Sequence, residues 1–123
     1  MKQTYNKDNT KEPIVEGDLV SITDKGTVVR SYQNFNKKPD TKIVGICTGL
    51  NENEIEVENS GIVDINVEGM IGLGDMITAS EIPGKGRVLK YTQEQKIWNI
   101  RSIGKVIGLY NNRKKAKVLL NIE

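Results

Sequence analysis

Short runs of branched aliphatic residues, broken every few positions by Gly, Asn, Asp or Pro, constrain this chain more than any other feature. Val and Ile lose side-chain freedom in helices and pack well on a pleated surface, so such runs favour strands. The spacing predicts strands at Asp18–Thr23, Thr27–Ser31, Ile43–Gly49, Glu54–Glu58, Ile62–Val67, Met76–Ala79, Arg87–Tyr91, Ile97–Ile100, Ser102–Leu109 and Ala116–Ile122. Apolar and polar residues alternate most cleanly in Ile55–Glu58 and Val63–Val67. Turn formers separate the runs, among them Asp24-Lys25-Gly26, Asn59-Ser60-Gly61, Pro83-Gly84-Lys85-Gly86 and Asn111-Asn112. One helical turn, near Thr92–Gln95, is too short to alter the class. Some ten short strands predict an all-β fold, a small barrel or sandwich. Ahead of them Met1–Pro13 is polar and aperiodic, which predicts a flexible N-terminal tail (1–13) before a single β domain (14–123).

Composition limits the chemistry. The 123 residues carry 18 basic and 16 acidic side chains, a net charge of +2, without the one-sided excess typical of nucleic-acid binders. There is no histidine and a single cysteine, Cys47, so the common zinc sites and the Ser-His-Asp and Cys-His nucleophile sets cannot be assembled. Cys47 follows Val44-Gly45-Ile46 and is expected to be a buried, inert thiol. No stretch approaches the ~18 apolar residues that span a bilayer. No cofactor and no enzymatic activity are expected.

The remaining groupings have structural readings. Gly69–Gly74 and Pro83–Gly86 resemble phosphate cradles only superficially, because Arg87-Val88-Leu89 continues as a strand instead of a helix. Glu52, Glu54, Glu56 and Glu58 alternate along one strand face, opposite Ile55 and Val57. Arg113, Lys114, Lys115 and Lys117 follow Asn111-Asn112, at a hairpin where basic side chains deter unwanted strand pairing. Contact between this cluster and the acidic row of a neighbouring subunit is a further expectation. Trp98, in an aromatic-poor chain, is expected in the core or as a subunit-interface anchor, together with Arg113, Lys114 and Lys115.

The two halves of the chain also echo each other. Gly17-Asp18-Leu19-Val20-Ser21 matches Gly74-Asp75-Met76-Ile77-Thr78, and Gly26-Thr27-Val28-Val29 matches Gly86-Arg87-Val88-Leu89. Val44-Gly45-Ile46 matches Ile107-Gly108-Leu109, and Ile55–Glu58 matches Lys117–Leu120. Glycine accepts the positive φ of a tight turn, and the following aspartate can accept hydrogen bonds from turn amides. This predicts an internal pseudo-repeat of two β units, with Gly17, Asp18, Gly74, Asp75, Pro83 and Gly84 as structural turns.

Between Ile43 and Gly84 stand Ile43-Val44-Gly45-Ile46-Cys47, Gly61–Val67 and Gly74-Asp75-Met76-Ile77-Thr78-Ala79-Ser80-Glu81-Ile82-Pro83-Gly84, and Ile103–Gly108 follows. Together they resemble the C-terminal β domains of phage tail fibre and appendage proteins, some of which are self-cleaving (peptidase G2 type). No cleavage residue of that type has a match here. The layout also resembles β-clip capsid decoration proteins at the level of fold. The resemblance, over Gly17–Ile122, implies a homotrimeric structural component of a phage or prophage-derived particle. A chain starting at Met1 is expected to decorate a capsid or cap a tail or baseplate. Its tail would reach other virion proteins, with the cytoplasm as site of synthesis and the virion or phage-like particle as destination. A carbohydrate or cell-surface ligand-binding module, with Trp98 as stacking ring, is the competing expectation.

Overall fold

The computed structural model describes residues 2–8, 13–31, 43–89, 102–112 and 114–122. Among them are ten strands and no helix: β1 Lys2–Asn6, β2 Leu19–Ile22, β3 Val28–Arg30, β4 Ile43–Leu50, β5 Glu54–Glu58, β6 Ser60–Asn66, β7 Met76–Ala79, β8 Gly86–Val88, β9 Gly104–Leu109 and β10 Lys115–Asn121. They form two five-stranded antiparallel sheets, ordered β1-β5-β4-β2-β3 and β6-β10-β9-β7-β8. The all-β expectation holds. Ile97–Ile100 and Thr92–Gln95 lie outside the described residues, as does Trp98.

The second order is the first with every strand moved on by five, so the chain contains the same unit twice. Details repeat as well. A parallel bridge joins the two edges of each sheet, Lys7 with Val28 and Val67 with Gly86, so each sheet curls back on itself. A bulge interrupts the β4–β5 register between Cys47 and Gly49, and its counterpart interrupts β9–β10 at Lys117/Val118. Backbone bonds outside the ladders recur: Gly17 N–H to Cys47 O and Gly74 N–H to Val106 O, Cys47 N–H to Asp18 O and Val106 N–H to Asp75 O.

These pairings place the Gly-Asp segments in the predicted correspondence and correct three others. Gly45 corresponds to Gly104 instead of Gly108, and Ile55–Glu58 corresponds to Ala116–Leu119, one residue earlier than the pattern suggests. Val28 corresponds to Gly86, which shifts the third match by two residues. A crowded strand crossing explains the first. A Cβ on Gly104 would lie 2.6 Å from Val118 Cγ1 and 2.7 Å from Leu119 O, and one on Gly45 would meet Glu58 O and Val57 Cγ1. Only glycine lets these strands approach, whereas a Cβ on Gly108 meets the Lys117 side chain at 3.2 Å.

The N-terminal segment departs from expectation. Lys2–Asn6 is not a flexible tail; it is β1, paired antiparallel with Glu54–Glu58 of β5. Its outer residues are polar, so it lacks the apolar alternation that marks the other strands. It is held instead by the ladder, by a Lys2 Nζ–Glu56 Oε1 ion pair of 3.2 Å and by Tyr5, which packs against the first core. An edge strand needs only one buried contact and one row of hydrogen bonds.

Two buried clusters result. The first, Ile14, Val20, Val28, Cys47, Ile55 and Val57, belongs wholly to the first repeat. The second contains Ile65, Val67, Ile71, Ile77, Val106, Ala116, Val118 and Leu120 of the second repeat, and takes in Leu19 and Ile46 from the first. Burying an aliphatic side chain of this size is worth about 1.5–3 kcal/mol, so Leu19 and Ile46 join the repeats appreciably. Gly104→Ala is expected to lower stability by about 1–3 kcal/mol through overpacking, and Gly108→Ala by less, as read from chemical denaturation midpoints.

Candidate functional site

Asp18 is the buried polar centre of the molecule, 2% exposed. Its position follows from local structure: Gly17 takes φ +90, turns the chain into β2 and aims the next side chain inward. The Val15 amide donates to Asp18 Oδ2 at 2.9 Å, closing the turn, and Arg30 Nε donates to the same oxygen at 2.8 Å. Asn66, from the second repeat, donates through Nδ2 to Oδ1 at 2.9 Å and to Glu16 O at 2.9 Å. A buried carboxylate is costly unless paired and hydrogen-bonded, and here three donors meet that demand.

The Pro83-Gly84 turn lies against the same carboxylate. Leu19 N–H donates to Gly84 O at 2.8 Å and Gly84 N–H donates to Ser31 O at 2.7 Å, so the Gly84 peptide inserts between the end of β3 and the start of β2. A Cβ on Gly84 would come within 2.7 Å of Asp18 Cγ. The hairpin behind this tip is braced by Ser80, whose hydroxyl donates to Glu68 Oε1 at 2.7 Å and accepts from the Ile82 amide at 3.1 Å. Both candidate phosphate cradles are thus committed internally: Gly84 N–H as described, Gly74 N–H to Val106 O, and Gly72 N–H to Asp75 Oδ2 at 2.7 Å.

Asp75 corresponds to Asp18 but does less. It closes its own turn through Gly72 and, among the described residues, neither an arginine of its own repeat nor an asparagine of the other meets it. Val88 stands where Arg30 would be. Sequence reasoning treated the two aspartates alike. Only the tertiary contact separates them.

Beside this junction a cleft of about 580 Å³ separates the repeats, walled by Lys2, Glu16, Thr48 and Glu58 on one side and by Ile62, Asp64, Lys115 and Lys117 on the other. Its charges are mixed. Cys47 borders it but is buried, and burial pushes its thiol pKa up, which keeps the sulfur protonated and unreactive. The Thr48 hydroxyl, donating to Glu56 Oε1 at 2.9 Å, and then Lys2 hold the Glu56 carboxyl below its ordinary value. Glu56 of the acidic row therefore already has a basic partner within its own chain. Tyr110, after β9, donates to Asp64 Oδ1 at 2.6 Å, which raises the phenol's pKa.

Of the expected interface residues, Lys114 and Lys115 are exposed, Lys115 on the cleft wall; Trp98 and Arg113 lie outside the described residues. Sequence reading missed a set of exposed apolar side chains in the second repeat: Ile62, Leu73, Ile107 and Leu119. Their signal is an apolar residue at the polar phase of an otherwise alternating strand, as in Leu119-Leu120. Among the described residues, no group of three or more Cys, Asp or Glu converges as a metal set would, and no helix is long and apolar enough to cross a membrane.

Asp18→Ala should destabilise the fold by about 3 kcal/mol, the low end for a broken buried pair because Arg30 reaches solvent. Asp75→Ala should cost about 1 kcal/mol, the scale of one hydrogen bond; urea unfolding of both variants checks the difference. Cys47 should resist a thiol-reactive dye at mildly alkaline pH in the native protein and react fully once denatured. The raised pKa means that the neutral thiol's stabilising share is complete below the unfolded thiol's pKa and declines as pH climbs through the folded value. No protein-family model matches the chain, and no curated protein or solved structure matches it either.

Proposed function

We propose that this chain is a non-enzymatic structural component that works by homo-oligomeric contacts between its β domains, as a homotrimer in a phage or prophage-derived particle. The observation that carries this reading is the outer surface of the second repeat. Ile62 (61% exposed), Leu73 (67%), Leu119 (48%) and Ile107 (42%) are apolar there. At the corresponding positions the first repeat has Lys2, Glu16, Glu58 and Thr48. Scattered exposed aliphatics are ordinary, whereas a contiguous apolar patch marks a contact surface. Ile62 and Leu119 are direct cross-strand partners, so their side chains form one continuous patch.

The buried thiol and the internally satisfied turn amides support the same reading, since both leave this protein with surfaces to offer instead of reactive groups. The particle is the one implied by the resemblance to tail fibre and capsid decoration domains. Tail, appendage and capsid surfaces all require stable domains that bind copies or neighbours. Carbohydrate binding rests on Trp98, which lies outside the described residues.

Size-exclusion chromatography with light scattering is the direct test. A trimer's mass is expected, and Leu119→Lys should shift the population towards monomer while the monomer keeps the wild-type β-sheet circular dichroism. A strictly monomeric wild-type protein at micromolar concentration would remove the proposal.

A further inference from the structure

The contact between the two repeats is one-sided. The first repeat supplies a receiving surface: Gly17, Asp18, Leu19 and the end of β3. The second supplies the inserting groups: Asn66, whose backbone N–H donates to Gly17 O at 2.8 Å and whose Nδ2 donates to Asp18 Oδ1 at 2.9 Å, and the Gly84 turn. Were the repeats related by a two-fold axis, the first would insert equivalent groups into the second. Among the described residues it does not. Asn6 corresponds to Asn66 and is exposed. Gly26 has the same φ as Gly84, +80, yet nothing lies within 4 Å of where its Cβ would be. Gly74 matches Gly17 in conformation, φ +86 against +90, and its Cβ position is also open, whereas that of Gly17 lies 2.8 Å from Asn66 Oδ1.

Among the described residues, each chain therefore carries, besides its used pair, one inserting surface on the first repeat and one receiving surface on the second. Among the described residues, no turn sits between Met76 and Leu89, the counterparts of Leu19 and Ser31. Exposed apolar residues of the second repeat fall outside the intrachain cleft. Lys2, Glu16, Thr48 and Glu58 border that cleft; of their counterparts, Leu73, Ile107 and Leu119 face solvent away from it, while Ile62 lines its opposite wall. A heterologous contact that leaves complementary ends free propagates from subunit to subunit, closing into a ring if the rotation allows.

We infer that the occupant of this surface is a second copy of the same chain, bound head to tail. Asn6 and the Asp24-Lys25-Gly26 turn of one copy dock on the Leu73–Met76 segment of the next. The contact repeats between chains what Asn66 and Gly84 do within one. It rests on the homo-oligomeric reading above and specifies its geometry: a closed trimer of this kind presents six β units in one continuous cycle. Lys105 stands where Ile46 is buried in the intrachain contact, so the interchain version is the weaker of the two and dissociates on dilution.

Asn6→Cys and Leu73→Cys, both at exposed positions, provide the test with a short bis-maleimide, the buried Cys47 serving as background. A mixture of the two variants should give severalfold more covalent dimer than either alone, and the double variant should give a ladder of multiples. Equal cross-linking within one single variant would indicate a two-fold contact and overturn the inference. A short Gly-Ser insertion after Lys25, in an exposed turn, should lower the light-scattering mass at fixed concentration. An oligomer that ignores the insertion and fails to cross-link in the mixture would refute the head-to-tail geometry while leaving oligomerisation standing. A wild-type monomer would remove both.

Discussion

One buried carboxylate organises this molecule. A carboxylate buried as Asp18 is needs hydrogen-bond donors, and its donors come from three places in the chain: the Val15 amide, Arg30 and Asn66. The last belongs to the other repeat. Satisfying the charge therefore requires the repeats to dock, and the same docking covers Leu19 and Ile46 and seats the Gly84 turn. Hydrophobic burial supplies most of the attraction between the units, while the hydrogen bonds of Asp18 specify their relative position.

The repeated unit explains why the sheets look alike and the surfaces do not. Positions facing the inside of either unit stay small or aliphatic: Val20 and Ile77, Cys47 and Val106, Val57 and Val118. Positions facing outwards have no such constraint, and there the repeats differ in charge and hydropathy. The first spends its outer face on the junction and on ion pairs such as Lys2–Glu56, and the second presents aliphatic side chains. A duplicated scaffold with two different outer faces is suited to asymmetric contacts, in which one unit receives and the other inserts.

Much of this was legible in the sequence. Branched aliphatics at strand spacing led to the class, and Met76–Ala79 and Glu54–Glu58 emerged with their predicted boundaries. The Gly-Asp pairs revealed the repeat, because a positive-φ turn followed by a capping carboxylate leaves a local signature. The register of the repeat was less legible. Glycines at 45, 104 and 108 look equivalent on paper, and only the carbonyl of a neighbouring strand reveals which two cannot carry a Cβ. β1 escaped notice because its side chains are mostly polar and its stability comes from pairing with β5, some fifty residues away.

By itself, then, the sequence determined the strand content, the lack of imidazole chemistry and the presence of two related units, since each depends on residue type and short-range spacing. Tertiary structure alone decided that Asp18 is buried and triply bonded while Asp75 closes only its own turn, and that Gly84 is enclosed while Gly26 is open. The aspartates share a Gly-Asp segment, and the two turn glycines share a φ of +80. What distinguishes the two members of each pair is which surface the other repeat covers, and that is settled by contacts between residues far apart in the chain.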